Sequence, residues 1–295
     1  MQYLYLLIIV ACAMGNNIFK NAFAKGEICT EGDNAIYNAI ACFIGAPLSM
    51  LGHRFLPISG PALLYSFLFG LSMAGVAITT IRALRTGPMA VTALFGNFAM
   101  VIPIFFAFFF WHERISLPRI LGIAVMFFAI FLMIYPGKKA GKEDKETVSR
   151  EWTLWVSLYA LTTGLMALFQ QMAAKSHPED STMFLFYGFL FATFFVLLYA
   201  LYCRKEESTR AQFPFFSRQN FNGLFVGILG GISHISAMAI LTLMDSAVFY
   251  PVKDGICIIC NALLGRFLLK ERLSKRRMLG FVLGAISILA LTVLN

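Results

Sequence analysis

Long apolar runs follow one another along almost the whole chain. Ten of them, each of roughly 20 residues, are separated by short polar breaks, and a run of this length matches a helix that crosses the hydrocarbon core of a bilayer. They lie near 3–24, 33–53, 59–82, 88–111, 117–136, 151–174, 181–203, 219–244, 246–269 and 274–294. The pattern predicts a multi-pass integral membrane protein.

Composition supports this prediction and removes other classes. Of 295 residues, 59% are hydrophobic and 13% are charged, whereas soluble domains carry about 25% charged residues. A water-soluble enzyme and a disordered chain are therefore both excluded. The segment VIPIFFAFFFW (101–111) is apolar at nearly every position, unlike the alternating strands of a β-barrel. The expected fold class is an all-α integral membrane protein.

The net charge of +9 would favour nucleic acid as a partner in a polar protein. In a membrane chain, excess Lys and Arg is typical of cytoplasmic loops that face anionic lipid. We therefore expect the lipid bilayer, and no nucleic acid, among the partners.

The two halves of the chain resemble each other. WHERISLPRILG (111–122) follows the fourth run and LKERLSKRRMLG (269–280) follows the ninth, and their Glu, Arg, Ser and Gly residues align at a single offset. The pairs are Glu113 with Glu271, Arg114 with Arg272, Ser116 with Ser274, and Gly122 with Gly280. NIFKNAFAKG (17–26) matches ALFQQMAAKS (167–176) more weakly. This is the signature of an internal repeat.

The charged segment 137–150, GKKAGKEDKETVSR, divides the chain. It is a polar linker between a first five-helix repeat, residues 1–136, and a second, residues 151–295. Because five crossings leave the chain on the opposite side of the membrane, the two repeats are expected to be inverted. Secondary transporters commonly have inverted repeats, with a substrate site at midplane between the halves.

The paired E-R-[IL]-S…L-G signature, ten spans and a break after the fifth resemble the drug/metabolite transporter superfamily, EamA type. The resemblance implies alternating access around a central cavity, driven by protons or exchange. It also implies that helices 1–4 and their repeats line the cavity, while helices 5 and 10 pack outside. It does not specify the substrate.

Orientation is predicted from the loop charges. Of the 24 Lys and Arg residues, the even-numbered loops hold only Arg54, Arg114, Arg119 and Lys175. The positive-inside rule then puts the odd-numbered loops in the cytoplasm and both termini outside. The resemblance instead implies termini inside, and we favour the charge distribution.

The polar residues inside the spans are the candidate substrate site, since charge at bilayer depth needs a reason. They are Asn16, Asn17, Lys20, Asn21, Asn97, Gln170, Gln171, His234, Tyr250, Lys253, Asp254 and Asn261.

Each group also has a structural alternative. The amides of helix 1 would form one wall of a cavity, and Gln170 and Gln171 would form the opposing wall. Lys20 would attract a carboxylate, or its side chain would only extend to the membrane surface. His234 would carry a coupling proton or merely bond a neighbouring helix. Tyr250, Asp254 and Asn261 share one helical face, but Lys253 and Asp254 would also make a structural pair.

Other features have more ordinary interpretations. Arg82, Arg85 and Arg266 are expected to anchor helices at the interface, as are Trp111, Trp152 and Trp155 at helix ends. Glycines of the eighth and tenth spans are expected to allow close helix packing.

The function expected from these observations is transport without catalysis. The sequence has no catalytic motif, metal-ligand cluster or cofactor motif, so we predict no catalytic residues, no metal and no cofactor. We predict a secondary transporter in a bacterial-type inner membrane, preferably an exporter, for a small polar metabolite such as an amino acid. It would act as a monomer or homodimer, with protons as one choice of coupling ion. A multidrug or cation exporter is the alternative, and an intramembrane lipid-modifying enzyme is a more distant one.

Overall fold

The computed structural model describes a bundle of α-helices. It covers residues 2–25, 31–51, 55–87, 89–111, 117–134, 149–206, 218–243, 246–264 and 275–293. The helices are α1 (Gln2–Ala24), α2 (Glu31–Ser49), α3 (Gly60–Thr86), α4 (Met89–Phe98), α5 (Val101–Phe110), α6 (Leu117–Ile134), α7 (Arg150–Ser176), α8 (Ser181–Glu206), α9 (Arg218–Leu241), α10 (Ser246–Leu263) and α11 (Lys275–Val293). A 3₁₀ turn, Pro178–Asp180, joins α7 to α8. All regular structure within these ranges is helical, as the sequence predicts.

Six helical segments in the described ranges are long and apolar enough to cross a membrane. They are Gln2–Ala24, Gly60–Thr86, Val91–Phe110, Arg150–Ser176, Pro178–Cys203 and Phe221–Leu241. The other four predicted spans contain α2, α6, α10 and α11 but are not among these six. The total of ten spans stays a prediction.

The predicted span 88–111 is a broken helix. A turn at Ala99 and Met100 separates α4 from α5, and Met100 and Ile102 donate backbone bonds only three residues back. Pro103 accounts for the break, because it has no N–H for the Ala99 carbonyl and its ring crowds that carbonyl. Hydropathy does not reveal this break, because the side chains on both sides of it are apolar.

Helix packing relates the two halves reciprocally. Helix α3 packs against α7 and α8, while α9 packs against α1 and α2. Helix α2 packs against α8, and α6 against α11. Exchanging the first three helices with α7, α8 and α9 reproduces this pattern, which is the result expected from two copies of one structural unit.

The glycines of α9 allow it to approach α2 closely, as predicted. A Cβ on Gly223 would lie 2.9 Å from the Tyr37 carbonyl oxygen, and one on Gly227 would lie 2.6 Å from that of Ala41. The two backbones therefore meet without intervening side chains. On α11, Ser287 donates a hydrogen bond to the Gly122 carbonyl of α6, so that helix also packs within the chain.

Trp152, which the sequence predicts to be an interfacial anchor, is buried inside the bundle and does not face lipid. It is 1% exposed, its Nε1 donates to Thr92 Oγ1 at 3.2 Å, and it lies against Gly87, where a Cβ would come within 2.1 Å. Because the indole N–H is hydrogen-bonded within the protein, the side chain does not need the polar interface to satisfy that group.

Candidate functional site

A central cavity of about 100 Å³ lies between the two halves. Its lining comes from α1, α2 and α3 of the first half and from α7, α8 and α9 of the second. The lining residues are Asn16, Lys20, Asn38, Ala41, Cys42, Met73, Val76, Ala77, Met166, Phe189, Val226, Gly227, Gly230 and His234. Three of the predicted site residues, Asn16, Lys20 and His234, are brought together here.

Helix α1 contributes Asn16 and Lys20, which lie one helical turn apart on the cavity face. Asn16 Oδ1 is buried and has no hydrogen-bond partner in the described part of the chain. Lys20 is half-buried and close to Cys42 of α2. Lys20 therefore borders the cavity between the two halves, and its extension to the membrane surface stays an untested alternative.

Helix α2 supplies three lining residues that the sequence analysis missed, Asn38, Ala41 and Cys42. Asn38 Nδ2 donates to Asn34 Oδ1 at 2.7 Å and to the carbonyl oxygens of Asn34 and Ala77 at 2.9 and 3.3 Å. Asn38 therefore links α2 to α3 at the cavity wall. The four-residue spacing of two asparagines in an apolar run was the signal that would have identified it.

His234 is held in place by Gln170 of α7. His234 Nδ1 lies 3.0 Å from Gln170 Oε1, and Gln170 Nε2 donates to the His234 carbonyl at 3.1 Å. The rings of Phe69 and Phe189 meet the imidazole edge-on, with centroids 5.4 and 5.7 Å away. The structural alternative for His234, a bond to a neighbouring helix, is thus present, and the residue also lines the cavity.

Nine predicted site residues are not among the described lining residues, and five of these are amides of α1, α4 and α7: Gln170, which contacts His234, and Asn17, Asn21, Gln171 and Asn97. Asn17 is half-buried on α1, and Asn21 is buried on the same helix. Gln171 is fully buried, and neither polar atom of its amide has a hydrogen-bond partner among the described residues. Asn97, near the end of α4, has a buried Nδ2 without such a partner.

The ionisable pair of α10 forms a separate polar group. Lys253 Nζ lies 2.9 Å from Asp254 Oδ1, with side chains 24% and 5% exposed. Tyr250 donates to the Ala167 carbonyl of α7 at 3.0 Å. Tyr250 thus links α10 to α7, and the Lys253–Asp254 contact matches the structural alternative for these two residues. Asn261 belongs to the same helix, and its side chain lies outside the described part of the structure.

Arg82 and Arg85 lie in the last turns of α3 and do more than anchor it. Arg82 Nε lies 3.0 Å from Glu31 Oε2 of α2, and its Nη2 donates to the Tyr199 hydroxyl of α8 at 2.6 Å. The Arg82 guanidinium stacks 4.2 Å from the ring centroid of Trp155 of α7. Arg85 lies 3.5 Å from Glu31 Oε1. Arg82 thus joins both halves at one end of the bundle, called here the Arg82 end.

A second cavity, of about 280 Å³, lies at the opposite end of the bundle. It is lined by the last residue of α2, Ser49, by the start of α8 and by the end of α9. Leu185 borders this second cavity, whereas Phe189, one turn further along α8, borders the central one. At this end Asp180 accepts hydrogen bonds from the backbone and hydroxyl of Ser59, which joins the α7–α8 turn to α3.

Of the aligned signature residues, Glu113, Arg114, Ser116, Glu271, Arg272 and Ser274 lie outside the described residues, as does Arg266, whereas Gly122 and Gly280 lie in α6 and α11.

Comparison with known proteins agrees with the internal repeat. The model of the EamA-like transporter family matches residues 22–135 and again residues 150–293. No curated protein matches the chain. A crystal structure described only as that of a protein is similar in fold, with a TM-score of 0.65, 13% identity and coverage of 99% of each chain.

Proposed function

The chain belongs to the EamA-like transporter family, and from this premise we propose that it is a secondary transporter of a small polar organic metabolite such as an amino acid. It is a membrane protein with a two-repeat architecture. Substrate, coupling and direction are the proposed part. We prefer export, with coupling to protons or to an exchanged solute, across a bacterial-type inner membrane.

The observation that carries the proposal is the composition of the central cavity. Three helices of each half surround it, and Asn16, Lys20, Asn38 and His234 add polar groups to its apolar walls. A pocket with few polar groups among apolar ones is typical of small-molecule sites. Its position between repeats is the one in which secondary transporters bind their solutes.

Alternating access follows if the two repeats are inverted, as five crossings per repeat imply. The reciprocal packing of α3 on α7 and of α9 on α1 supports exchangeable halves. Phe189 and Leu185 on α8 lie between the central cavity and the second cavity. Rocking of one half against the other would move such side chains and connect the central cavity to each side in turn.

The residues of the proposed site have distinct roles. Lys20 attracts the carboxylate of the solute, and Asn16 Oδ1 accepts a hydrogen bond from an N–H or O–H group elsewhere on the solute. His234, positioned by Gln170, and Asp254 are the candidates for proton coupling. The nearby amides of Asn17, Asn21, Gln171 and Asn97, and the α10 residues Tyr250, Lys253 and Asn261, complete the proposed set.

A multidrug or cation exporter is less well supported. Such a transporter needs an acidic group facing its cavity, but the charged residue among the described lining residues is Lys20. Asp254 is buried but already paired with Lys253. An intramembrane enzyme is disfavoured because members of this family are transporters.

Reconstitution into liposomes tests the proposal. We expect counterflow of labelled solute from a panel of amino acids and polar metabolites, and a change in rate when a pH gradient is imposed. Empty liposomes give the background. Failure of every solute to move above that background, with correctly inserted protein, would refute a transport function.

A further inference from the structure

Lys20 is a positive charge without an ion-pair or hydrogen-bond partner in the described part of the chain. It is the charged residue among the described residues that line the central cavity, and none of the ion pairs or hydrogen bonds of the described residues involves it. A lysine at bilayer depth is costly unless something neutralises it. A negatively charged solute would supply that neutralisation.

Asp254 is not available to hold a positively charged part of a solute. Its carboxylate already faces Lys253 at 2.9 Å, and it does not border the central cavity. Lys253 and Asp254 cancel each other's charge, so the remaining charge of the site is that of Lys20. The ammonium of a zwitterion would find no carboxylate among the described lining residues.

The other polar groups of the cavity are mostly occupied. Asn38 Nδ2 donates to Asn34 and to the Ala77 carbonyl, and His234 is bonded to Gln170. Asn16 Oδ1 is the exception, since it is buried and without a partner in the described ranges. The cavity thus offers one charged donor and one vacant acceptor, surrounded by side chains such as Met73, Met166 and Phe189.

We infer that the solute is a small organic anion with one carboxylate, which pairs with Lys20, and one hydroxyl or amide N–H, which donates to Asn16. A single negative charge matches the single charge of the cavity, whereas a dianionic phosphate would leave negative charge unpaired. The volume of about 100 Å³ is below the roughly 300–1,000 Å³ of typical small-molecule pockets, which favours a short chain. The inference rests on the proposed transport function. Within the class of small polar metabolites it favours hydroxy acids and N-acylamino acids over free amino acids.

Four solutes of equal heavy-atom number isolate charge from size: L-lactate, L-alanine, L-lactamide and L-alaninamide. Binding is measured by calorimetry on the purified protein at neutral pH, and counterflow is measured in liposomes against an empty-liposome background. We expect lactate to bind and move in preference to the other three. Preference for alanine or alaninamide would overturn the inference.

Variants of α1 test the role assigned to Lys20. Lys20→Met, which keeps the length of the side chain, should weaken lactate binding by about 10-fold to 100-fold, the range for hydrogen bonds to charged groups. Lys20→Arg should keep the preference for the anion. Lys25→Met, at the exposed end of the same helix, is the matched control and should bind lactate normally. Unchanged lactate preference in Lys20→Met would overturn the inference.

The experiments distinguish failure of the proposed transport function from failure of the proposed anion preference. If none of the four solutes moves but another zwitterion or a cation from the broad panel does, transport stands and the anion inference is wrong. If no solute of either panel moves, the transport function itself is wrong and the inference falls with it.

Discussion

The Nζ atom of Lys253 lies 2.9 Å from Oδ1 of Asp254, so two residues adjacent in sequence neutralise each other inside the bundle. Neighbouring residues on a helix do not normally face each other. The length and flexibility of the lysine side chain allow it to reach the shorter aspartate. Whether this pair has only a structural role is accessible to experiment.

We expect Asp254→Asn to lower both stability and transport while the protein still inserts. The variant leaves Lys253 without its partner, which should destabilise by about 1–3 kcal/mol because Lys253 remains partly exposed. The double variant Lys253→Met/Asp254→Asn should regain stability. If Asp254 takes part in coupling, transport by the double variant stays impaired. Melting temperatures in detergent and counterflow rates measure the two effects, and normal transport by the double variant would assign the pair a structural role alone.

Lys20→Ala is expected to impair transport without lowering the melting temperature. The substitution removes an unpartnered charge whose insertion costs about 2.5–3.5 kcal/mol on the translocon scale, so its loss does not destabilise the fold. Transport should fall by about 10-fold or more, because the charge-assisted contact to the solute is lost. A marked fall in melting temperature with normal transport would show that Lys20 supports the fold instead.

Gly227→Ala should destabilise the protein, because the new Cβ would lie 2.6 Å from the Ala41 carbonyl oxygen of α2. Overpacking of this kind costs about 1–3 kcal/mol. Gly60→Ala is the control, since a Cβ there meets nothing within 4 Å and alanine is the better helix former. Thermal unfolding of the two variants should shift in opposite directions, and an unaffected Gly227→Ala would contradict the close approach of α9 and α2.

Arg82→Gln should destabilise more than Arg85→Gln. Arg82 contacts Glu31, Tyr199 and Trp155, and loss of two hydrogen bonds and a stacked guanidinium should cost roughly 2 kcal/mol. Arg85 makes one partly exposed contact at 3.5 Å, which is worth under about 1 kcal/mol. Comparable melting temperatures for the two variants would contradict the role of Arg82 in joining the halves. Arg82→Lys should not restore stability, since lysine lacks the planar fork.

Orientation is tested with a reporter fused to the C-terminus. The distribution of Lys and Arg over the loops predicts that the C-terminus is outside the cytoplasm. A reporter that is active only after export should therefore be active, and one that is active only in the cytoplasm should be silent. The reverse result would reverse the predicted orientation and place the Arg82 end outside.

The fold class was predictable because hydropathy and helix length are local properties of the sequence. The bounds of α3 and α7 lie within a few residues of the predicted ones. The break between α4 and α5 was missed because Pro103 lies in an otherwise apolar run, and hydropathy does not register a missing N–H. Burial of Trp152 was missed because its partners, Gly87 and Thr92, come from distant parts of the chain.

The candidate site was only partly predictable. Lys20 and Asn16 were recognisable as polar residues in an apolar helix, and both line the cavity. Cys42 and Phe189 were not recognisable from the sequence, because an apolar residue in an apolar helix borders a cavity only when the packing of the helices places it there. For Lys253 and Asp254 the sequence left a substrate role and a structural pair both open, because depth in a span does not show whether two charges satisfy each other.

Helices α6 and α11 pack against each other, and the described lining of the central cavity includes no residue of either helix. Helix α6 has 18 residues, about 27 Å at 1.5 Å per residue, close to the roughly 30 Å thickness of bilayer hydrocarbon. A helix slightly shorter than the hydrocarbon core cannot compensate by tilting, so a thicker bilayer would have to thin locally around this outer pair, at a distance from the described lining of the solute chamber.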